Sequence, residues 1–351
     1  MTRDEIDTPA LLVDLNEMES NLRQMAAFFA DKQVKLRPHF KNHKSPILAR
    51  KQLEAGAIGL TCATLREAEI LADSGIRDIL IANEIAGERE LNQFVELSRR
   101  ADVIVALDNE TVAAEMAAVS RAQGIPLSVV VDLNVGLNRC GIQPGEPALN
   151  LARKAVQLGL KFRGVMGYEG HLQAFPQSEE RDKVVRQVCQ SLTDSRRLIE
   201  NAGIPVEIVS TGGTGTYMIG GQYPGITDIQ AGSYLLMDTI YTNRGSTFSR
   251  SLTILATVIS RPDQNRAVVD CGLKVLSGER GLSTVKDMEG VQLKALHAVH
   301  GLLETQNPDE RLQPGRKIEL WVHYSDATVN LHDRMYGVRN GDVEEIIRIE
   351  H

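Results

Sequence analysis

The run Arg37-Pro38-His39-Phe40-Lys41-Asn42-His43-Lys44 packs two lysines, two histidines and an arginine into one short stretch. A lysine crowded by other cations, or partly removed from water, loses some of its preference for the protonated form and becomes an amine able to attack a carbonyl. Lys41 is the candidate Schiff-base amine and Lys44 its rival in the same run. The plain alternative is a solvated surface lysine. A second stretch, Ser210-Thr211-Gly212-Gly213-Thr214-Gly215, is glycine-rich. Glycines let backbone N–H groups approach an anion, and the hydroxyls add donors. No Gly-Lys-Ser/Thr follows, so it is not a Walker loop, and it does not match GxGxxG with a distant acid. A phosphate site and an ordinary tight turn both fit it.

These residues need elements to position them. Short runs rich in Val, Ile and Leu recur at Val34–Phe40, Ile58–Ala63, Asp78–Asn83, Asp102–Asp108, Leu127–Leu133, Phe162–Gly170, Val206–Gly213 and Asp228–Asp238. Amphipathic helical patterns separate them, among them Ser45–Ala55, Leu65–Ser74, Thr111–Gln123, Pro147–Leu158 and Arg181–Ala202. Apolar strands alternating with helices mean a parallel sheet, and about eight such units predict an α/β fold of the (β/α)₈ TIM-barrel kind; an open doubly wound sheet is the alternative. In a barrel, function gathers where strands end. The predicted ends carry Lys41, Asn83-Glu84, Asp108, Asp132, Tyr168-Glu169-Gly170-His171, the glycine-rich stretch, and Gln230-Ala231-Gly232-Ser233. From Ser251 onward shorter strands are expected, at Leu252–Ser260, Arg266–Asp270, Lys317–His323 and Glu344–Glu350. The expected division is a barrel over residues 15–245 and a smaller, mostly β domain from 1–14 plus 246–351.

Composition bounds the function class. The chain has 351 residues, 42% hydrophobic, and a net charge of -7. That balance argues against nucleic acid, which demands clustered Lys and Arg. No apolar run reaches the roughly 18 residues of a membrane span. The acidic opening MTRDEIDTPALLVDL lacks a signal-peptide core. Cys62, Cys140, Cys189 and Cys271 form no CxxC pair, as expected of reduced thiols in a cytoplasmic protein.

The segment RPHFKNHK resembles the RPHxKxHK segment of the D-threonine aldolase and D-serine dehydratase family. These are fold-type III pyridoxal-phosphate enzymes sharing the alanine racemase barrel. The likeness continues through TPALLVDL, GLNRCGI, GYEG, STGGTGT, IQAGSY, DCGLK and TVNLHD, nearly the whole chain. The resemblance implies pyridoxal 5′-phosphate held as a Schiff base on Lys41, with His39 beside it. It implies that Arg139 contacts the cofactor ring oxygen and that Tyr168 lines the pocket. Gly212, Gly213, Thr214, Gly232 and Ser233 would meet the phosphate. Gln230 stands where alanine racemases place an arginine facing the pyridine nitrogen, so that nitrogen is expected to stay largely unprotonated. A homodimer with its site at the interface and a small D-amino-acid substrate are also implied.

Two positions depart from the family pattern. A His-x-Asp or His-x-Cys pair before the TVN segment binds a divalent metal (manganese, magnesium or zinc) in the family. Here Tyr324 occupies the histidine position ahead of Asp326, and His323 is one residue early. On an extended chain Tyr324 and Asp326 share a face and His323 points away; a local bulge would be needed to bring it back. Asp326 either helps hold a metal or hydrogen-bonds within the site without one. The family's aldolases carry a histidine where Ala174 aligns, and His171 is the replacement base in reach, with Glu169 either orienting it or facing outward. The expected activity is a lyase on D-β-hydroxy amino acids, by aldol cleavage to glycine and an aldehyde. The runner-up is a D-serine- or D-3-hydroxyaspartate-type dehydratase releasing a 2-oxo acid and ammonia. A racemase using Lys41 with Tyr324 or His171, and a pyridoxal-phosphate-binding protein without turnover, complete the alternatives.

Overall fold

A computed structural model describes all 351 residues, apart from the side chain of Ala174. The chain opens with strand β1 (Ala10–Asp14) and helix α1 (Leu15–Phe29). Then strand and helix alternate: β2 (Lys35–Leu36), α2 (Pro46–Glu54), β3 (Leu60–Cys62), α3 (Leu65–Asp73), β4 (Asp78–Glu84), α4 (Glu88–Ser98), β5 (Asp102–Leu107) and α5 (Glu110–Gln123). The alternation continues with β6 (Ser128–Asp132), α6 (Glu146–Gln157), β7 (Lys161–Gly167), α7 (Glu179–Asn201), β8 (Ile208–Thr211), the short α8 (Tyr217–Gly220) and β9 (Asp228–Ile229). Local chemistry sets the helix ends. Thr64, Asn109 and Ser178 accept backbone N–H bonds at the starts of α3, α5 and α7. Gly124, at φ +67°, stops α5 in the left-handed conformation that glycine adopts without strain.

Strands β2 to β9 form an eight-stranded parallel sheet in which β2 pairs with β9. A further bridge from His39 to Thr61 joins β2 to β3 and closes the ring. Its interior is filled by Leu80, Ile104, Ala106, Val130, Met166 and Ile208, contributed by successive strands, so the barrel is a packed core. At Gly164 a Cβ would sit 1.9 Å from the Ile208 carbonyl oxygen, and φ is +151°; only glycine fits there. Strands end sooner than their apolar runs. The expected Asp228–Asp238 strand stops at Ile229, and Tyr168–Gly170 has already left β7.

The second sheet is nine-stranded. Beyond the short α9 (Thr239–Thr242) its strands are β10 (Leu252–Asp263), β11 (Arg266–Val269), β12 (Thr284–Val285), β13 (Val291–Leu296), β14 (Gly301–Thr305) and β15 (Lys317–Trp321). After the five-residue helix α10 (Ser325–Val329) come β16 (Arg334–Arg339) and β17 (Asp342–Arg348). Strand β1 lies between β10 and β16. Its pairing is fixed by Ala10, Leu12 and Leu255, which pack with Ile6, Tyr336 and Val338. Two compact units result: residues 25–41 with 49–232, and residues 1–24 with 42–48 and 233–351. The expected boundaries at 14/15 and 245/246 differ from these, and residues 42–48 go with the β unit. Among the described residues no helix is long and apolar enough to cross a membrane.

Candidate active site

Beyond β2 the backbone stays laddered: the Arg37 N–H donates to Ile229 and the Thr61 N–H to Pro38, both at 2.9 Å. The chain then tightens into a single turn, Phe40–Asn42, anchored by the fully buried Phe40 ring. Lys41 therefore stands half-buried at the C-terminal end of the first barrel strand. Gly232 passes close by in the segment after β9. A Cβ there would lie 2.5 Å from the His39 carbonyl oxygen, so the two segments approach only because residue 232 has no side chain.

The cationic crowd expected around Lys41 is largely committed elsewhere. Buried Arg37 pairs with Asp78, and its Nε lies 3.5 Å from the Asp228 carboxylate. The His43 Nδ1 accepts the Ser45 N–H at 3.1 Å, and the Lys44 ammonium donates to the Asn330 side chain. Arg37 and Lys44 thus each face a local acceptor, and the His43 Nδ1 serves as an acceptor itself.

Buried Gln230 is oriented by a chain of polar groups. Its Nε2 donates to the Ser210 hydroxyl at 2.9 Å, and Ser210 donates to Asp228, the partner of Arg37. The single Ser210 proton is spent on Asp228, so Gln230 must be the donor. The half-buried Tyr168 follows β7, and Gly170 passes so close that a Cβ would meet its ring at 2.5 Å.

Glu169 neither faces outward nor orients His171. It is 1% exposed and accepts the Gly212 N–H at 3.2 Å and the Thr216 hydroxyl at 2.5 Å. The N–H of Gly213 goes to Thr216 Oγ1 (3.0 Å) and that of Gly215 to Gln173 Oε1 (2.8 Å). Three glycine amides of the turn are thus bonded inward, against the expectation that Gly212 and Gly213 offer theirs to a phosphate. Thr214, Gly232 and Ser233 keep that assignment as an expectation.

His171 lies in the turn Gly170–Ala174. Its Nδ1 is buried and has no hydrogen-bond partner among the described residues. The ring rests on the loop after β6, where a Cβ on Gly136 would meet Nε2 at 3.2 Å. Asn134 holds that loop by accepting the N–H groups of Gly136 (3.1 Å) and Asn138 (3.2 Å). Arg139 follows, exposed. The side chain of Ala174 lies outside the described residues.

One cluster was visible only as separate strand ends in the sequence. Glu84, Asp108 and Asp132 close three consecutive strands and so converge at one rim. Burial holds the Asp132 carboxyl up to about 8, helped by the charge of Glu84, its side-chain hydrogen bond and the charge of Asp108, and opposed by Arg139. Chain order would have found the cluster, because ends of successive barrel strands are neighbours.

In the β unit, strand β15 stops at Trp321 and α10 begins at Ser325, so the extended-chain alternation expected for His323 to Asp326 does not hold. Asp326 Oδ1 accepts the Asn42 side-chain N–H at 2.6 Å, and the same amide nitrogen lies 2.8 Å from Ser325 Oγ and 3.5 Å from Ser233 Oγ. Ser325 donates through both N–H and Oγ to buried Asp238, each at 2.9 Å. The Arg280 guanidinium lies 4.4 Å from the Tyr324 ring centroid. Burial, then the charge of Asp326, pushes the phenol up to about 12. The His323 ring turns to the Arg280 carbonyl, 3.0 Å away, against Gly281. Among the described residues no three His, Cys, Asp or Glu side chains come together as a metal site. The donors present are one carboxylate already taking an N–H and a neutral phenol, which suits a hard divalent ion poorly. A metal does not fit this site.

A closed parallel barrel with a half-buried lysine where its first strand ends, followed by an antiparallel sheet, defines an alanine racemase-like enzyme. Residues 13–239 match the family model described as "Alanine racemase, N-terminal domain", and 251–338 match "Putative serine dehydratase domain". The chain belongs to this alanine racemase-like family of D-threonine aldolases and D-serine dehydratases, fold-type III pyridoxal-phosphate lyases. It is 35% identical to a D-threonine aldolase of Arthrobacter sp. over 98% of this chain and 92% of that protein. It is 31% identical to a D-threo-3-hydroxyaspartate dehydratase of Delftia sp. over 85% of this chain and 83% of that one. The crystal structure of a D-threonine aldolase from Filomicrobium marinum superposes with a TM-score of 0.96 at 34% identity, covering 99% of this chain and 96% of that one. The family implies pyridoxal phosphate. The residues present fit it, with a half-buried lysine, a buried imidazole nitrogen lacking a partner and an organised glycine turn all at barrel strand ends.

Proposed function

We propose that the chain cleaves D-β-hydroxy amino acids between Cα and Cβ, giving glycine and an aldehyde. Pyridoxal phosphate, when bound, supplies an aldehyde for amines and an electron sink for the α-carbon. Lys41 is the amine that holds it. His39, Tyr168, Arg139, Thr214, Gly232 and Ser233 line its binding site, and Gln230 faces its ring nitrogen as a neutral amide. The work left to the chain is proton transfer at the β-hydroxyl. His171 takes that proton, the hydroxyl oxygen becomes the aldehyde carbonyl, and the Cα–Cβ electron pair stays with the α-carbon until it is protonated. In the β unit, Tyr324 beside Arg280 and Asp326 bonded to Asn42 keep their assignment as catalytic candidates.

The observation that carries this reading is the buried His171 Nδ1 without a partner, since a buried polar atom left unpaired costs about 1–3 kcal/mol and persists where it has a use. The 31% identity to a dehydratase favours a second reading, elimination of the hydroxyl with release of ammonia. Departure of hydroxide benefits from a Lewis acid, and the donors around Asp326 do not suit one. A homodimer with its site at the interface and a cytoplasmic location belong to the same proposal.

Product analysis with D-threonine tests it. Glycine plus acetaldehyde is expected, unchanged by added manganese. Replacing His171 by Ala should lower turnover by roughly 10²–10⁴-fold while cofactor uptake persists. Ammonia with 2-oxobutanoate and no glycine would select the dehydratase reading, and turnover untouched in His171→Ala would remove the assigned base.

A further inference from the structure

We infer that Glu169, with Gln173 as its extension, is the positioning residue for the phosphate end of the cofactor site. The inference rests on the pyridoxal-phosphate reading and adds to it a residue that approaches neither Schiff base nor substrate in that scheme.

Glu169 is buried at 1% exposure. A carboxylate in that position survives only by collecting hydrogen-bond donors. Oε2 receives the Gly212 N–H at 3.2 Å and lies 3.0 Å from the Thr211 hydroxyl. Oε1 receives the Thr216 hydroxyl at 2.5 Å and the Gln173 amide at 3.3 Å. Thr216 Oγ1 is approached by the Gly213 N–H (3.0 Å) and the Gln173 N–H (2.9 Å), so its one proton is left for Glu169. Gln173 turns its oxygen to the Gly215 N–H at 2.8 Å.

The result is an internal anion doing for the turn what a bound anion does for a nest of amides: it gathers the N–H groups and fixes the backbone. The glycines are needed for this closeness. A Cβ on Gly213 would stand 2.9 Å from Gln173 Cδ, and one on Gly215 would stand 2.7 Å from its Oε1. Arg181 closes the far side, donating to the carbonyls of Leu172 and Gly215. The turn therefore has one shape before any ligand arrives: its glycine amides are held by the chain, which fixes the backbone carrying Thr214, the residue of the turn expected at the phosphate, and a preformed site spends less of its binding free energy on ordering. The sequence shows both ends of the device, GYEGHLQ and STGGTGT, without showing that they meet.

The test separates phosphate recognition from general damage. Cofactor-depleted full-length chain is titrated with pyridoxal phosphate and, separately, with pyridoxal, which keeps the aldehyde and ring but lacks the phosphate. In Glu169→Gln an N–H replaces an acceptor beneath the turn. In Gln173→Met the Gly215 amide loses its partner. The apparent Kd for pyridoxal phosphate should rise at least tenfold in each, while that for pyridoxal shifts less than threefold. Should Glu169→Gln fail to fold, Gln173→Met carries the comparison alone. Equal weakening of both ligands, or of neither, would overturn the inference while leaving the enzyme reading intact. A wild-type chain that takes up neither ligand would overturn the proposed function and this inference together.

Discussion

Replacing Asp132 by Asn should make the protein gain stability over the wild type as pH rises. Asp132 is 7% exposed, and its carboxyl is held up to about 8, first by burial and then by Glu84. The unfolded chain releases this proton near pH 4, so between about pH 4 and 8 the folded chain binds more protons than the unfolded one. Stability falls with rising pH wherever that holds, and the loss is complete above the folded-state value. One proton contributes about 1.4 kcal/mol per pH unit, so the step from about pH 6 to about pH 8 removes roughly 2–3 kcal/mol. Asn has the same shape, can donate an N–H to Glu84 and does not titrate. The assay is urea unfolding of both holoenzymes, read as the difference in unfolding free energy at the two pH values. A difference that widens by roughly 2 kcal/mol in favour of Asp132→Asn is expected. Parallel behaviour of the two proteins would mean that Asp132 is already ionised in the fold, and the argument from burial beside Glu84 would be refuted.

Two further predictions follow from named contacts. Lys41→Ala should abolish the cofactor's protein-linked absorbance, whereas Lys44→Ala, which loses only its bond to Asn330, should retain it; spectra of the two purified variants decide between the rival amines. Arg37→Met should destabilise the chain by about 3–5 kcal/mol, because it strands the 1% exposed Asp228 without its cation. Thermal unfolding measures this, and an unchanged midpoint would show that the Arg37–Asp228 pair adds nothing.

The barrel was legible because its strands are short apolar runs between amphipathic helices, a pattern set by burial on both faces. Their ends were not. The run at Asp228–Asp238 stays apolar well past Ile229, yet the ladder ends there because residues 230–232 turn toward the first strand, with Gly232 against His39. Strands β12 to β14 went unseen because they are short and half-exposed, two to six residues each, with Gln292, Lys294 and Glu304 turned to solvent. At the site, Lys41, His171 and the glycine turn stood out by residue type. Glu169 could not be read, since a carboxylate in GYEG looks the same whether it faces solvent or holds a turn more than forty residues downstream. The helix at Ser325 likewise overturned an alternation that presumed a strand.

One of the four crossings between the compact units falls at the peptide bond between Lys41 and Asn42. Asn42 bonds to Ser325 and Asp326, and Lys44 to Asn330. Exchange of parts within the family is constrained accordingly. In a chain cut after Gly232, Asn42 and Lys44 would keep their place in the sequence and lose the bonds to Ser325, Asp326 and Asn330. Grafting a relative's C-terminal sheet onto this barrel would in turn require rewriting the few residues that follow the lysine. Modularity that the chain order suggests, with barrel first and sheet second, is broken twice, by residues 1–24 and by a seven-residue insert at 42–48 that bonds to residues near the other end.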